Sequence, residues 1–205
     1  MAVTYDNNTS GIGGVASTSV TFSHTVGATA NMLVVGAGER GTPSGVTYNG
    51  TSMTALGAFN NGVNNNGNLY YLANPTTGAN NVVESHSIGY STVGATSLIG
   101  ASTTIGNYNT ATGNSTTPSV TVTSTTNSIV VDHVIHNQGN ALTVTGTNQT
   151  SRYAYTQANA VAGSTMLGTA STVPAWTCTG SNVWSMGAVS VDAGAVKNSN
   201  FLIFM

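Results

Sequence analysis

Apolar and polar positions alternate along this chain in short runs, and turn residues separate the runs. In Val15–Val26, Val20, Phe22 and Val26 fall on one face and Thr21, Ser23 and Thr25 on the other, with His24 on the apolar side. Met32–Ala37 is apolar without a break, the pattern of a strand covered on both faces. Val46–Tyr48 and Ser52–Leu56 flank Asn49-Gly50, a pair favoured where both central turn residues need positive φ, and so predict a hairpin. Further strands are predicted over Leu69–Ala73, Val82–Ile88, Val93–Ala101, Val120–Thr123, Ile129–His136 and Leu142–Thr145. Arg152–Thr156, Thr165–Leu167, Pro174–Thr179 and Val183–Val191 complete the set. Gly, Thr, Ser and Asn recur every few positions, and all are poor in helix interiors. The pattern predicts an all-β protein, an antiparallel jelly-roll β-sandwich.

One domain accounts for the strands. Residues 1–14 read as an N-terminal arm, 15–192 as a single sandwich, and 193–205 as a C-terminal tail that ends in the apolar run Phe201, Leu202, Ile203, Phe204 and Met205. Gly106–Pro118, rich in Asn, Thr and Ser, reads as a crossover inside the sandwich. An internal echo divides it into two weakly similar halves. Asn31, Val34, Val35, Thr47, Gly50 and Thr51 recur as Asn127, Val130, Val131, Thr143, Gly146 and Thr147 at one offset (127 − 31 = 96). Two similar β halves suit a jelly roll, which is built from two Greek keys.

Four stretches in this order carry a resemblance: Asn31–Val35, Val46–Gly50, Leu69–Pro75 and Trp184–Val191, with Ser119–Val131 adding a strand pair. The chain resembles the jelly-roll, concanavalin-like modules of phage virion structural proteins and bacterial surface proteins. The resemblance spans roughly residues 15 to 192. It implies a sandwich in exposed, often multimeric structures, and it brings no catalytic motif.

Charge narrows the partners. Charged residues are 4% of the chain, three basic and five acidic, against about 25% in an average soluble domain. Either much of the surface packs against copies or neighbours, where desolvating charge is costly, or the surface is simply neutral. Three basic residues make no track for nucleic acid and no polybasic membrane anchor. No apolar run approaches the roughly 18 residues that span a bilayer. The single cysteine, Cys178, forms no intrachain disulfide and is expected as a buried thiol. Met1–Asp6 lacks a charged and an apolar signal region, so a protein made and kept in the host cytoplasm until assembly is expected.

The candidate chemistry is sparse. Asp132, His133 and His136 share a predicted strand, but residues three apart point to opposite faces, so the two histidines are not expected to share a metal. Glu84 and His86 lie two apart on one face, about 7 Å between Cα atoms, and are expected as a solvent-facing polar pair. Zinc needs a third and fourth ligand, and the sequence offers none nearby. There is no G-x-S-x-G elbow, and Cys178 has no base near it in sequence. A glycan hydrolase would need two carboxylates about 5–10 Å apart, and nothing selects a pair. Asn60–Asn68 is expected as a solvated loop tip, since calcium sites usually include carboxylates and this loop has none. Tyr70, Tyr71, Trp176 and Trp184 are the aromatic candidates for sugar stacking, with core packing as the plainer role. Glu39-Arg40 is expected as a loop ion pair or an intersubunit contact.

No enzyme activity, catalytic residue, cofactor or metal is therefore expected. The expected function is a virion structural protein on the particle exterior: a capsid decoration, head-fibre or tail component. Its expected partners are its own copies and other virion proteins, with Phe201–Met205, Glu39 and Arg40 as assembly contacts. The alternatives are an extracellular or cell-surface module that binds a surface glycan, and a subunit of a non-viral extracellular filament.

Overall fold

The structure, a computed structural model, describes residues 1–62 and 64–195. It is all-β and antiparallel throughout. The first half contains β1 (Thr4–Gly13), β2 (Ser19–Val26), β3 (Ala30–Glu39), β4 (Pro43–Tyr48), β5 (Thr51–Ser52), β6 (Thr54–Asn60), β7 (Asn66–Ala73), β8 (Gly78–His86) and β9 (Ser91–Ile99). The second contains β10 (Tyr108–Ser115), β11 (Val122–Thr123), β12 (Ile129–His136), β13 (Thr143–Val144), β14 (Gln149–Thr156), β15 (Ala160–Leu167), β16 (Ser171–Thr172), β17 (Trp176–Thr177) and β18 (Asn182–Val191).

The two halves share one topology. In the first, a sheet ordered β1-β9-β3-β7-β6 faces a sheet ordered β2-β8-β4-β5. In the second, β10-β18-β12-β15-β14 faces the short pairs β11-β16 and β13-β17. Each strand of the first large sheet has a counterpart at the same place in the second. The long strand β8, which bonds both β2 and β4, is replaced by β16 and β17. Pro174 lies between those two, and proline has no N–H to continue a ladder. Each half is thus a jelly roll, and the two large sheets pack against each other. The expected all-β, antiparallel jelly-roll architecture with two similar halves is present, and residues 15–192, expected as a single sandwich, form four layers around three cores.

Two expected boundaries change accordingly. Residues 1–14 are not a free arm: β1 pairs along its length with β9 and forms the edge of the first large sheet. Gly106–Pro118 is not a plain crossover, because β10 lies within it and opens the second jelly roll.

The core follows from this layering. Leu33, Val35, Val46, Tyr48 and Val82 fill the outer core of the first half. Val130, Val134, Trp176, Trp184 and Met186 fill that of the second. Met32, Val34, Leu69, Ile129, Val131, Ile135 and Val189 meet in the centre. Strands β3 and β12 are covered on both faces, hence their unbroken apolar runs.

The halves come close because glycines face aromatic rings. Gly36 pairs with Gly94 in the first large sheet, and Gly187, His133 and Gly163 are register partners in the second. A Cβ at Gly36 would lie 2.7 Å from His133, and one at Gly187 would lie 2.5 Å from Phe59. A Cβ at Gly94 or Gly163 would fall within the ring of Tyr153. Phe59, His133 and Tyr153 form a row, with neighbouring centroids 5.9 Å apart, sandwiched between these bare stretches of backbone.

Candidate functional site

The polar residues singled out from sequence sit almost entirely inside. Asp132 and His136 face the outer core of the second half, while His133 faces the central one. Asp132 accepts hydrogen bonds from Trp176 Nε1 at 3.0 Å and from the Ser164 hydroxyl. Burial pushes its carboxyl up to about 7, against those two hydrogen bonds, which pull it down. His133 Nδ1 lies 2.6 Å from the Tyr153 hydroxyl. Burial drives the His133 imidazole down to about 3 and raises the Tyr153 phenol, so both are neutral over the ordinary pH range.

Cys178 does have a base beside it: His136 Nε2 is 3.2 Å from its sulfur. The partners are 42 residues apart and meet only when β17 folds over β12, so sequence spacing could not reveal them. Burial raises the thiol, which disfavours the thiolate a nucleophile would need.

Glu84 and His86 are not solvent-facing. Both lie in the outer core of the first half, with Glu84 Oε2 2.6 Å from His86 Nδ1 and His86 Nε2 3.2 Å from the Gly89 carbonyl. Burial raises the Glu84 carboxyl, against the neighbouring His86, which pulls it down. The alternation that placed them on one face was correct, but that face is the inner one.

Glu39 is likewise buried. Ala37 belongs to the first outer core, and strict alternation would send Glu39 the same way. Gly38, at φ 135°, breaks the alternation. The Glu39 carboxylate instead bridges the halves, accepting from the Asn159 backbone N–H at 3.0 Å and from the Thr92 hydroxyl at 3.2 Å. Among the described residues it forms no ion pair with Arg40, whose exposed guanidinium lies 5.9 Å from the Tyr90 ring centre. The other expected assembly contacts, Phe201, Leu202, Ile203, Phe204 and Met205, lie outside the described residues.

The Asn60–Asn68 segment, expected as a solvated tip, keeps Asn60 and Gly62 exposed but is pinned at other described residues. Asn61 donates to the carbonyls of Gly113 and Trp184 at 2.9 and 3.0 Å. Asn65 is fully buried, donates to the Val183 carbonyl and accepts from Asn159. Every one of these partners belongs to the second jelly roll, so the loop ties the halves together. Of the aromatic candidates, Tyr70, Trp176 and Trp184 are core, and Tyr71 packs against the central core. None of the four forms a sugar platform. Among the described residues, no group of three or more His, Cys, Asp or Glu side chains gathers as a metal site, and no helix is long and apolar enough to cross a membrane.

Among the described residues, what remains outside is nearly free of charge. Of the five carboxylates, Glu39, Glu84 and Asp132 are buried. Asp6 is half-buried and accepts from Gly27 N–H and the Ser97 hydroxyl at 2.9 and 2.6 Å. Asp192 is half-buried and accepts from the Ser190 hydroxyl at 2.6 Å. Arg152 is half-buried with its guanidinium carbon 3.6 Å from the Tyr5 ring centre, which leaves Arg40 as the exposed charge among the described side chains.

One groove combines charge with open space. It has a volume of about 410 Å³ and lies where the first strand of one jelly roll meets β14 and β15 of the other. Val3, Ile129 and Met166 contribute apolar walls, and Tyr5, Thr150 and Arg152 contribute polar ones. Nothing in the sequence put Tyr5 beside Arg152; the contact needs the two halves packed together.

No family model matches the chain, and no curated protein is similar to it. Among solved structures it is similar to the major capsid protein P2 of bacteriophage PM2, at 6% identity and a TM-score of 0.30, over 93% of this chain and 99% of that one. A likeness of that size carries no argument about function.

Proposed function

We propose that the chain is a structural subunit on the exterior of a virus particle, acting by packing against its own copies and other virion proteins without a catalytic step. The single observation that carries this reading is the disposal of charge. Among the described residues, nearly every ionisable side chain is withdrawn into a core or hydrogen-bonded at its rim, and Thr, Ser and Asn cover the strands that face outward. A surface of that kind loses little on desolvation, because few ions must leave water when it is covered. The resemblance of its strand and turn motifs to phage virion modules points the same way, toward a decoration, head-fibre or tail component. Arg40 and the apolar run 201–205 are the proposed contact residues; Glu39 is withdrawn from that set because its carboxylate is used between the halves.

Electron microscopy of intact particles from infected cells, labelled with antibody against this chain, tests the location. Gold on the outer surface of particles is the expected result. Label confined to the cell surface or to empty background would overturn the virion reading.

A further inference from the structure

The groove between the two jelly rolls has a feature that packing alone does not require. Arg152 is fixed from two sides: Nε donates to Thr165 Oγ1 at 2.7 Å, and the guanidinium carbon lies over the Tyr5 ring, 3.6 Å from its centre. Tyr5 is itself held by its hydroxyl, which donates to Asn8 Oδ1 at 2.7 Å. Asn8 in turn donates to the Arg152 carbonyl at 2.7 Å, closing a ring of contacts across the halves. A strap of this kind needs only the Nε bond and the stacked ring. Among the described residues only Nε has a partner of ordinary hydrogen-bond geometry, and no carboxylate pairs with the terminal nitrogens. Burial also lowers the guanidinium, against a smaller opposing contribution from the Tyr5 side chain.

We infer that this groove binds a carboxylate-bearing sugar, a uronic acid residue of an acidic polysaccharide, with Arg152 as the carboxylate clamp. The planar terminal nitrogens match the two oxygens of a carboxylate in a bidentate pair, and a preorganised guanidinium loses little freedom on binding. A single guanidinium suits one planar carboxylate, as one uronic acid unit presents it. The remaining walls favour a sugar over a free ion. Exposed Thr4, Asn148 and Thr150 offer hydroxyls and an amide along one rim, while Val3, Ile129 and Met166 supply an apolar floor for a ring face. A volume of about 410 Å³ falls within the size of ligand grooves, and a junction between two folded units is a common place for them.

Titration calorimetry of the intact chain with oligogalacturonate, with a neutral oligoglucan of equal length and with a short poly-glutamate peptide tests this. The expected result is saturable binding of oligogalacturonate alone, weakened at least about tenfold in Arg152→Gln, a loss of the size expected for a charge-assisted bidentate pair. Arg152→Gln also loosens the strap, so Thr150→Trp, which fills the rim and leaves the Arg152–Tyr5 stack intact, is the second variant and is expected to block binding with an unchanged melting temperature. No oligogalacturonate binding, binding unaffected by both variants, or equal binding of the neutral glucan would overturn the assignment. Equal binding of the peptide would overturn the sugar assignment in favour of an acidic protein segment. None of these outcomes depends on whether the chain packs into a particle.

Discussion

Gly94→Val is expected to cost about 3 kcal/mol or more of folding stability, the upper range for overpacking a filled core. A side chain at this position would occupy the space of the Tyr153 ring. That ring cannot step aside within the interface, because Gly163 supports its other side and its hydroxyl is bonded to His133. Valine therefore either expels Tyr153, which leaves the buried His133 nitrogen without a partner, or forces the two large sheets apart. Urea unfolding of Gly94→Val gives the magnitude. Gly45→Val is the control: a Cβ there meets nothing within 4 Å, and a shift within about 0.5 kcal/mol is expected. Removing the obstructing ring should recover part of the loss, so Gly94→Val with Tyr153→Ala should cost less than the sum of the two single changes. Strict additivity would mean that the halves do not meet through these residues.

Asp132→Asn is expected to stabilise the protein, and only toward high pH. The carboxyl is raised from 3.8 to about 7 by burial in the outer core of the second half. A raised folded value means that the folded chain holds a proton the unfolded chain has released. The favourable contribution is therefore complete below about pH 4 and disappears as pH climbs through about 7. Across that window the wild type should lose up to about 4 kcal/mol relative to a side chain that cannot ionise, at 1.36 kcal/mol per pH unit. Asparagine can still accept from Trp176 and can donate to Ser164, so its own cost is small and constant. Urea midpoints at pH 5 and pH 8 for both proteins measure the effect, and the histidine contributions cancel in the difference. The variant should gain on the wild type between these pH values. A difference that stays flat would mean that Asp132 ionises as easily in the folded protein as in the unfolded chain.

Much of the fold was legible because strand alternation and turn chemistry are local. The hairpin at Asn49-Gly50 has the predicted positive φ at both residues, 48° and 75°. The repeat at an offset of 96 marks two halves whose large sheets match strand for strand, and at the hairpin it is in phase: Val46 and Tyr48 point inward, as do Leu142 and, in part, Val144. In β3 and β12 the same offset is one residue out of step. It pairs Leu33, which faces the first outer core, with Ile129, which faces the centre. A single-residue difference in loop length inverts which face is which, and composition does not record it.

The same limit explains the polar residues. Alternation placed Glu84 and His86 on one face, but it does not say whether that face is covered. Low charge suggested that surfaces would be hidden; it did not reveal that the two halves hide one large face of each other. His136 beside Cys178, Tyr5 beside Arg152 and Glu39 beside Asn159 are all contacts between distant segments. The one local signal was Gly38 before Glu39, which could have flagged a break in alternation.

The central claim is that this chain works by packing a nearly charge-free surface against its own copies. Light scattering of the purified full chain at about 0.05 M and about 1 M NaCl tests it directly, since the higher salt shortens the screening length to about 3 Å. The account predicts a discrete oligomer whose mass is the same at both salts, because little Coulombic energy is available to screen. A monomer at both salts, or an oligomer that falls apart as salt rises, would contradict it.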